Sequence, residues 1–99
     1  MYEIFFSPEV EKDLEDVPAF KKSEILDKIE DQLKQEPTQP TRKRKFIEGI
    51  KPPWSKKEGF WQLRVGEYRV FYEVDTEGLE VIVQAIRRKP PHKTTEEIL

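Results

Sequence analysis

Residues 59–89, GFWQLRVGEYRVFYEVDTEGLEVIVQAIRRK, leave the chain little freedom in what it can fold into. Apolar and polar residues alternate there in three runs, the period of a strand with one buried face. Trp61, Leu63 and Val65 alternate with Phe60, Gln62 and Arg64. Tyr68, Val70, Tyr72 and Val74 alternate with Arg69, Phe71 and Glu73. Leu79, Val81, Val83 and Ala85 alternate with Glu80, Ile82, Gln84 and Ile86. Gly66-Glu67 suits a two-residue type II′ turn, which takes glycine at its first central position. That turn pairs Val65 with Tyr68, and Arg64 with Arg69. Asp75 to Gly78 forms the second turn, and a four-residue loop pairs Val74 with Leu79 and Arg69 with Gln84.

The register then sorts the side chains. One face collects Trp61, Leu63, Val65, Tyr68, Val70, Tyr72, Val74, Leu79, Val81, Val83 and Ala85, and it needs a cover. The other collects Gln62, Arg64, Arg69, Gln84 and, at the far end of the third strand, Arg88. Like charges directly opposite destabilise a sheet by up to about 1 kcal/mol. Stability alone does not select Arg64 opposite Arg69. An anion held between them explains the choice; so do two solvated arginines that lean apart toward Glu73 or Glu80.

The cover lies upstream. Tyr2-Glu3-Ile4-Phe5-Phe6 reads as a first strand. Ser7 as N-cap and Pro8 at the first position start a helix, with Val10, Leu14 and Val17 on one face. Pro18 opens a second helix to about Glu36, striped by Ile25, Leu26, Ile29 and Leu33. In residues 37–58 the prolines 37, 40, 52 and 53 exclude a regular element, and Phe46, Ile50 and Trp54 anchor the segment. Thr94-Thr95-Glu96-Glu97 has the form of a capping box ahead of Ile98-Leu99. The class is α+β, a single domain over residues 1–99.

The chain has no Cys and one His, His92, which excludes disulfides, thiolate sites and multi-His metal sites. No cofactor is expected. No apolar run approaches the roughly 20 residues of a membrane span, and no signal peptide is visible, so a cytoplasmic protein without membrane partners is expected. The net charge of −2 hides an asymmetry: residues 1–36 hold 11 acids and 5 bases, residues 37–93 hold 7 acids and 13 bases. The basic half suits a polyanion. Arg42, Lys43, Arg44, Lys45, Lys51, Lys56 and Lys57 extend the sheet's arginines into one footprint for a phosphate backbone.

The string LRVGEYRVFYEVD, followed by an apolar strand and RRK, resembles the RelE/ParE superfamily, the toxin half of bacterial type II toxin–antitoxin pairs. The resemblance covers nearly the whole chain, and Leu-Arg-x-Gly-x-Tyr-Arg-Val-x-Tyr carries it. It implies a RelE-like fold, with an N-terminal strand and helix hairpin packed on one face of a small, mainly antiparallel sheet. It implies metal-independent cleavage of messenger RNA in the ribosomal A site, where the RNA 2′-hydroxyl attacks the adjacent phosphate and cations stabilise the developing charge. Arg69 matches the family's catalytic arginine. Arg64 matches a basic residue at the end of the preceding strand, and Arg88 or Lys89 a further catalytic basic group. Two departures stand out. Phe60 and Gln62 occupy positions where RelE has lysines, and PPHKTTEEIL has no aromatic beyond His92. Proton transfer then falls to His92, Lys89 or Glu73. The implied partners are a cognate antitoxin, messenger RNA and ribosomal RNA, with Gln62, Gln84 and Arg87 joining the basic loop as RNA contacts. ParE-like members share the fold and poison DNA gyrase without making a bond. A weak module that only binds its antitoxin is the third alternative.

Overall fold

Gly66 adopts φ 58° and Glu67 does not follow it into the left-handed region, the signature of a type II′ turn. Val65 therefore pairs with Tyr68, and Arg64 with Arg69, as predicted. In the computed structural model, which describes all 99 residues, this hairpin joins β3 (Phe60–Val65) to β4 (Tyr68–Asp75). The other elements are β1 (Glu3–Phe6), α1 (Pro8–Glu15), α2 (Ala19–Leu33), β2 (Arg44–Ile47), β5 (Glu80–Arg88) and α3 (Thr95–Ile98). The sheet runs β1-β5-β4-β3-β2, with β1 parallel to β5 and the other pairs antiparallel.

The second hairpin departs from the simple register. The Asp75 carboxylate accepts from the N–H groups of Glu77 and Gly78, a local turn that competes with strand pairing. Leu79, at φ 54°, closes the turn. Asp75 thus pairs with Glu80, and Val74 with Val81 rather than Leu79. A bulge follows: Tyr72 faces Val83, but Phe71 faces Ala85, so Gln84 is an extra residue in β5. Past the bulge the faces exchange. Ile86 joins the helix-covered face and Ala85 leaves it, the reverse of strict alternation. Arg69 stands opposite Arg87, not Gln84.

A fifth strand also appears where irregular chain was expected. Pro40 and Pro52 bracket a proline-free stretch, and Arg44–Ile47 within it pairs with β3 as an edge strand. The prolines punctuate that segment without interrupting it.

One sheet face packs on the helix hairpin. Val10, Val17, Ile25, Ile29 and Leu33 meet Leu63, Val70, Tyr72, Val81, Val83 and Ile86. Burying each large aliphatic contributes about 1.5–3 kcal/mol. Tyr72 is fully buried and its hydroxyl donates to the Pro37 carbonyl at 2.7 Å; burial pushes its pKa up. Ser7 is the N-cap residue of α1, with Pro8 following as expected, but its side chain makes no capping bond. Its N–H donates to Val83 O and its hydroxyl to Gln84 O, at 2.9 and 3.0 Å. The opposite face carries a second, smaller cluster. Phe60, Phe71 and Ala85 are covered by Ile47, Ile50, Trp54, Ile98 and Leu99. α3 forms through the expected capping box between Thr94 and Glu97. No helix is long and apolar enough to cross a membrane.

Candidate functional site

Beside that small apolar cluster the same face opens into a hollow of about 270 Å³, lined by Arg42, Lys43, Lys45, Gln62, Arg64, Arg69, Lys89 and Thr95. Strand pairing explains most of the set. Lys45 opposes Gln62, and Arg64 opposes Arg69, so all four share a face. The Arg64 N–H donates to Lys43 O at 2.8 Å, which draws the segment before β2 alongside. Beyond β5, the Lys89 N–H donates to Glu67 O at 2.7 Å and anchors Lys89 at the rim. α3 supplies Thr95.

Six of the eight lining residues are cations and none is an acid. None of the six makes an ion pair. Arg69 is the most buried of them, at 9% exposure. Its NH1 donates to the carbonyls of Gly66 and Tyr68, both at 3.0 Å, and its remaining N–H groups have no protein acceptor. Burial, and then the charge of Arg64, lower its pKa, but a guanidinium stays charged at neutral pH. A bound anion relieves both penalties. The lining offers no carboxylate or imidazole, so the chemistry open to it is anion binding and charge stabilisation, with lysine amines as the available proton carriers.

The structure separates other candidates from this hollow. Arg88 lies opposite Tyr68 on the helix-covered face, where its Nε pairs with Glu67 at 3.2 Å. Arg44 opposes Leu63 and is buried beneath α2; its NH1 donates to Gln32 O and satisfies one of the last carbonyls of that helix. Arg87 crosses the open edge of β5 to Asp13, 2.5 Å away, and the other Asp13 oxygen accepts from Ile86 N–H. Gln84 donates to Glu73 at 2.9 Å. His92, Lys51, Lys56 and Lys57 are exposed and outside the lining. On β5 the bulge turns Arg88 away from Arg69 and brings Arg87 opposite it, and Asp13 then draws the Arg87 side chain off the face.

One member, Thr95, was not foreseen. Its hydroxyl donates to Gln62 Oε1 at 2.9 Å. The available signal is the doubled threonine: Thr94 serves the cap, which leaves Thr95 free. A larger hollow, about 530 Å³, runs between β1 and α2, lined mainly by apolar side chains including Tyr2, Ile4, Phe6, Leu26 and Ile29.

The fold thus sets five strands against a helix hairpin on one face and gathers unpaired cations on the other. The family model for the ParE toxin of type II toxin–antitoxin systems, parDE, matches residues 4–89, and the chain belongs to this family, within the RelE/ParE superfamily. Solved structures share its RelE-like fold. The RelBE2 toxin–antitoxin complex from Mycobacterium tuberculosis gives a TM-score of 0.69 at 22% identity, over 89% of this chain and 98% of that one. The archaeal RelE–RelB complex from Pyrococcus horikoshii gives 0.68 at 22%, over 94% and 98%. The isolated Escherichia coli RelE toxin gives 0.58 at 15%, over 94% and 89%. No curated protein matches the chain.

Proposed function

We propose that this toxin is a metal-independent endoribonuclease that cuts messenger RNA on the ribosome, in the cytoplasm. The observation that carries the reading is the hollow: six unpaired cations around Arg69 without a carboxylate among them. Such a site is arranged for charge that arrives with a substrate and grows in its transition state. The free N–H groups of Arg69 meet the phosphorane oxygens. Arg64 and Lys89 hold flanking phosphates, and Arg42, Lys43 and Lys45 continue the track along the strand. A lysine in its neutral form takes the 2′-hydroxyl proton; the 2′-oxygen bonds to phosphorus; the bond from phosphorus to the 5′-oxygen breaks; and that oxygen is protonated by an ammonium or by water. Lys89 is favoured over His92 and Glu73 for this work because it lines the hollow and they do not.

The partner that silences the toxin is a cognate antitoxin, as RelB antitoxins accompany the toxins in the Mycobacterium and Pyrococcus complexes. Its carboxylates compete with RNA for the cations, and its apolar side chains suit the groove between β1 and α2. A second reading, a ParE-like poison of DNA gyrase, is favoured by the ParE family match and by the lack of any histidine or aromatic side chain in the hollow. Controlled expression in cells decides. Arrest of protein synthesis with cut messenger RNA and intact DNA supports the nuclease; DNA damage with continuing translation supports gyrase.

A further inference from the structure

We infer that Thr95 is a positioning residue: it fixes the Gln62 carboxamide so that the amide's NH₂ group meets a phosphodiester oxygen in the hollow. The inference rests on reading the hollow as a phosphate site. Gln62 is only 4% exposed, yet it lines the hollow. Its oxygen accepts from the Thr95 hydroxyl at 2.9 Å. An amide with its oxygen occupied has its two N–H donors left to offer. Those donors have no protein acceptor, and Nε2 is not sealed from solvent as Arg44 Nε and Trp54 Nε1 are. The two ends of a carboxamide have nearly the same shape. Without the Thr95 hydroxyl the group can turn over and present oxygen to an anion, which repels it.

The helix itself does not use this hydroxyl. Thr94 and Glu97 supply both halves of the capping box, and Ile98 and Leu99 pack on the Phe60–Phe71–Ala85 cluster. α3 is therefore fastened at both ends without Thr95. A neutral donor also has a distinct use among six cations. It adds a directional hydrogen bond without adding to their mutual repulsion.

The test uses the full ¹⁵N-labelled chain, made by cell-free synthesis, and an uncleavable 2′-O-methyl RNA dodecamer. The chain has five Gln and no Asn, so five side-chain amide pairs appear, and the Gln62 pair is the one lost in Gln62→Leu. RNA is expected to shift that pair in the wild type. Thr95→Val, which keeps the size and removes the hydroxyl, is expected to weaken binding about 3- to 10-fold, the scale of one neutral hydrogen bond. It also moves the Gln62 pair in the free protein, with backbone resonances outside α3 unchanged. Thr95→Ser restores both. If Thr95→Val binds RNA as tightly as wild type while Arg69→Ala does not bind, the role of Thr95 is overturned and the phosphate reading stands. RNA that shifts no resonance of the wild-type hollow overturns both.

Discussion

Arg44 on β2 and Arg64 on β3 are neighbours across one strand pair, yet they live in different solvents. Arg44 is buried beneath α2 with its guanidinium on the Gln32 carbonyl. Arg64 stands exposed beside Arg69 with no acceptor. The same contrast runs along the rest of the sheet. Arg87 and Arg88 find Asp13 and Glu67, while Arg42, Lys43, Lys45 and Lys89 find no side-chain partner, and Arg69 meets two backbone carbonyls through NH1 alone. The 20 acids in the chain show that partners were available to be placed. A cation whose charge is already answered belongs to the fold; one left unanswered beside others of its kind is what the proposed RNA-binding reading rests on.

The comparison breaks most visibly at Arg69 and Arg88. Arg69→Ala is expected to lower RNA-cleaving activity by about 10²–10³, the cost of one transition-state donor, with the fold retained. Arg88→Ala is expected to leave activity near wild type. Purified proteins assayed on programmed ribosomes check this, and equal losses in the two variants erase the distinction between paired and unpaired cations. The next effect is on stability and has opposite signs. Arg44→Ala loses a charge-assisted bond to a helix carbonyl and is expected to cost about 2 kcal/mol in urea unfolding. Arg64→Gln removes a like-charge pair and is expected to gain up to about 1 kcal/mol. A loss of stability in Arg64→Gln shows that the arginine has a structural partner after all.

Much of this contrast was legible in the sequence, and the reason is distance along the chain. The Gly66-Glu67 turn fixes its own register, so Arg64 opposite Arg69 followed from four adjacent residues. The capping box of α3 was equally local. The extra residue at Gln84 has no comparable signal, because nothing near it forbids plain alternation. Plain alternation therefore puts Arg88 on the face of the hollow, where the structure has Lys89. Prolines around Arg44–Ile47 concealed a strand whose ladder partners lie far along the chain. Thr95 was hidden for the same reason, since its acceptor is 33 residues away.

Two smaller effects sharpen the picture. Binding to single-stranded RNA is expected to fall with salt, with the slope of log K against log salt shrinking by about 0.7 for each hollow cation removed. Removing Lys43 or Lys45 is expected to change the slope, and removing Lys56 or Lys57 is not. Equal changes from both groups show that the whole basic segment forms one footprint. Least in size is an acid effect at α3. Hydrogen bonds from the Thr94 backbone N–H and with the Thr94 side chain hold the Glu97 carboxyl below its ordinary range. A depressed folded-state pKa gives stability that is present above the unfolded carboxylate's pKa and is lost as pH falls through the folded one. Acid is thus expected to loosen α3 before the sheet unfolds. Fluorescence of Trp54, which shares a cluster with Ile98 and Leu99, reports it. A signal that stays flat until global unfolding counts against an independent loosening.

The bulge at Gln84 has a consequence for how the hollow acquires its charge. A strand keeps time in twos, and here the rhythm slips by one beat between Val83 and Ala85. Ser7 holds the slipped residue by its carbonyl and Glu73 by its side chain. Before the slip, β5 keeps step with the helix core through Val81 and Val83; after it, Ile86 still reaches that core, and Lys89, rather than Arg88, lands beside Arg69. The cation delivered to the hollow is thus chosen by counting residues, so a single insertion or deletion between Ala85 and Lys89 changes the site more than many substitutions in the tail.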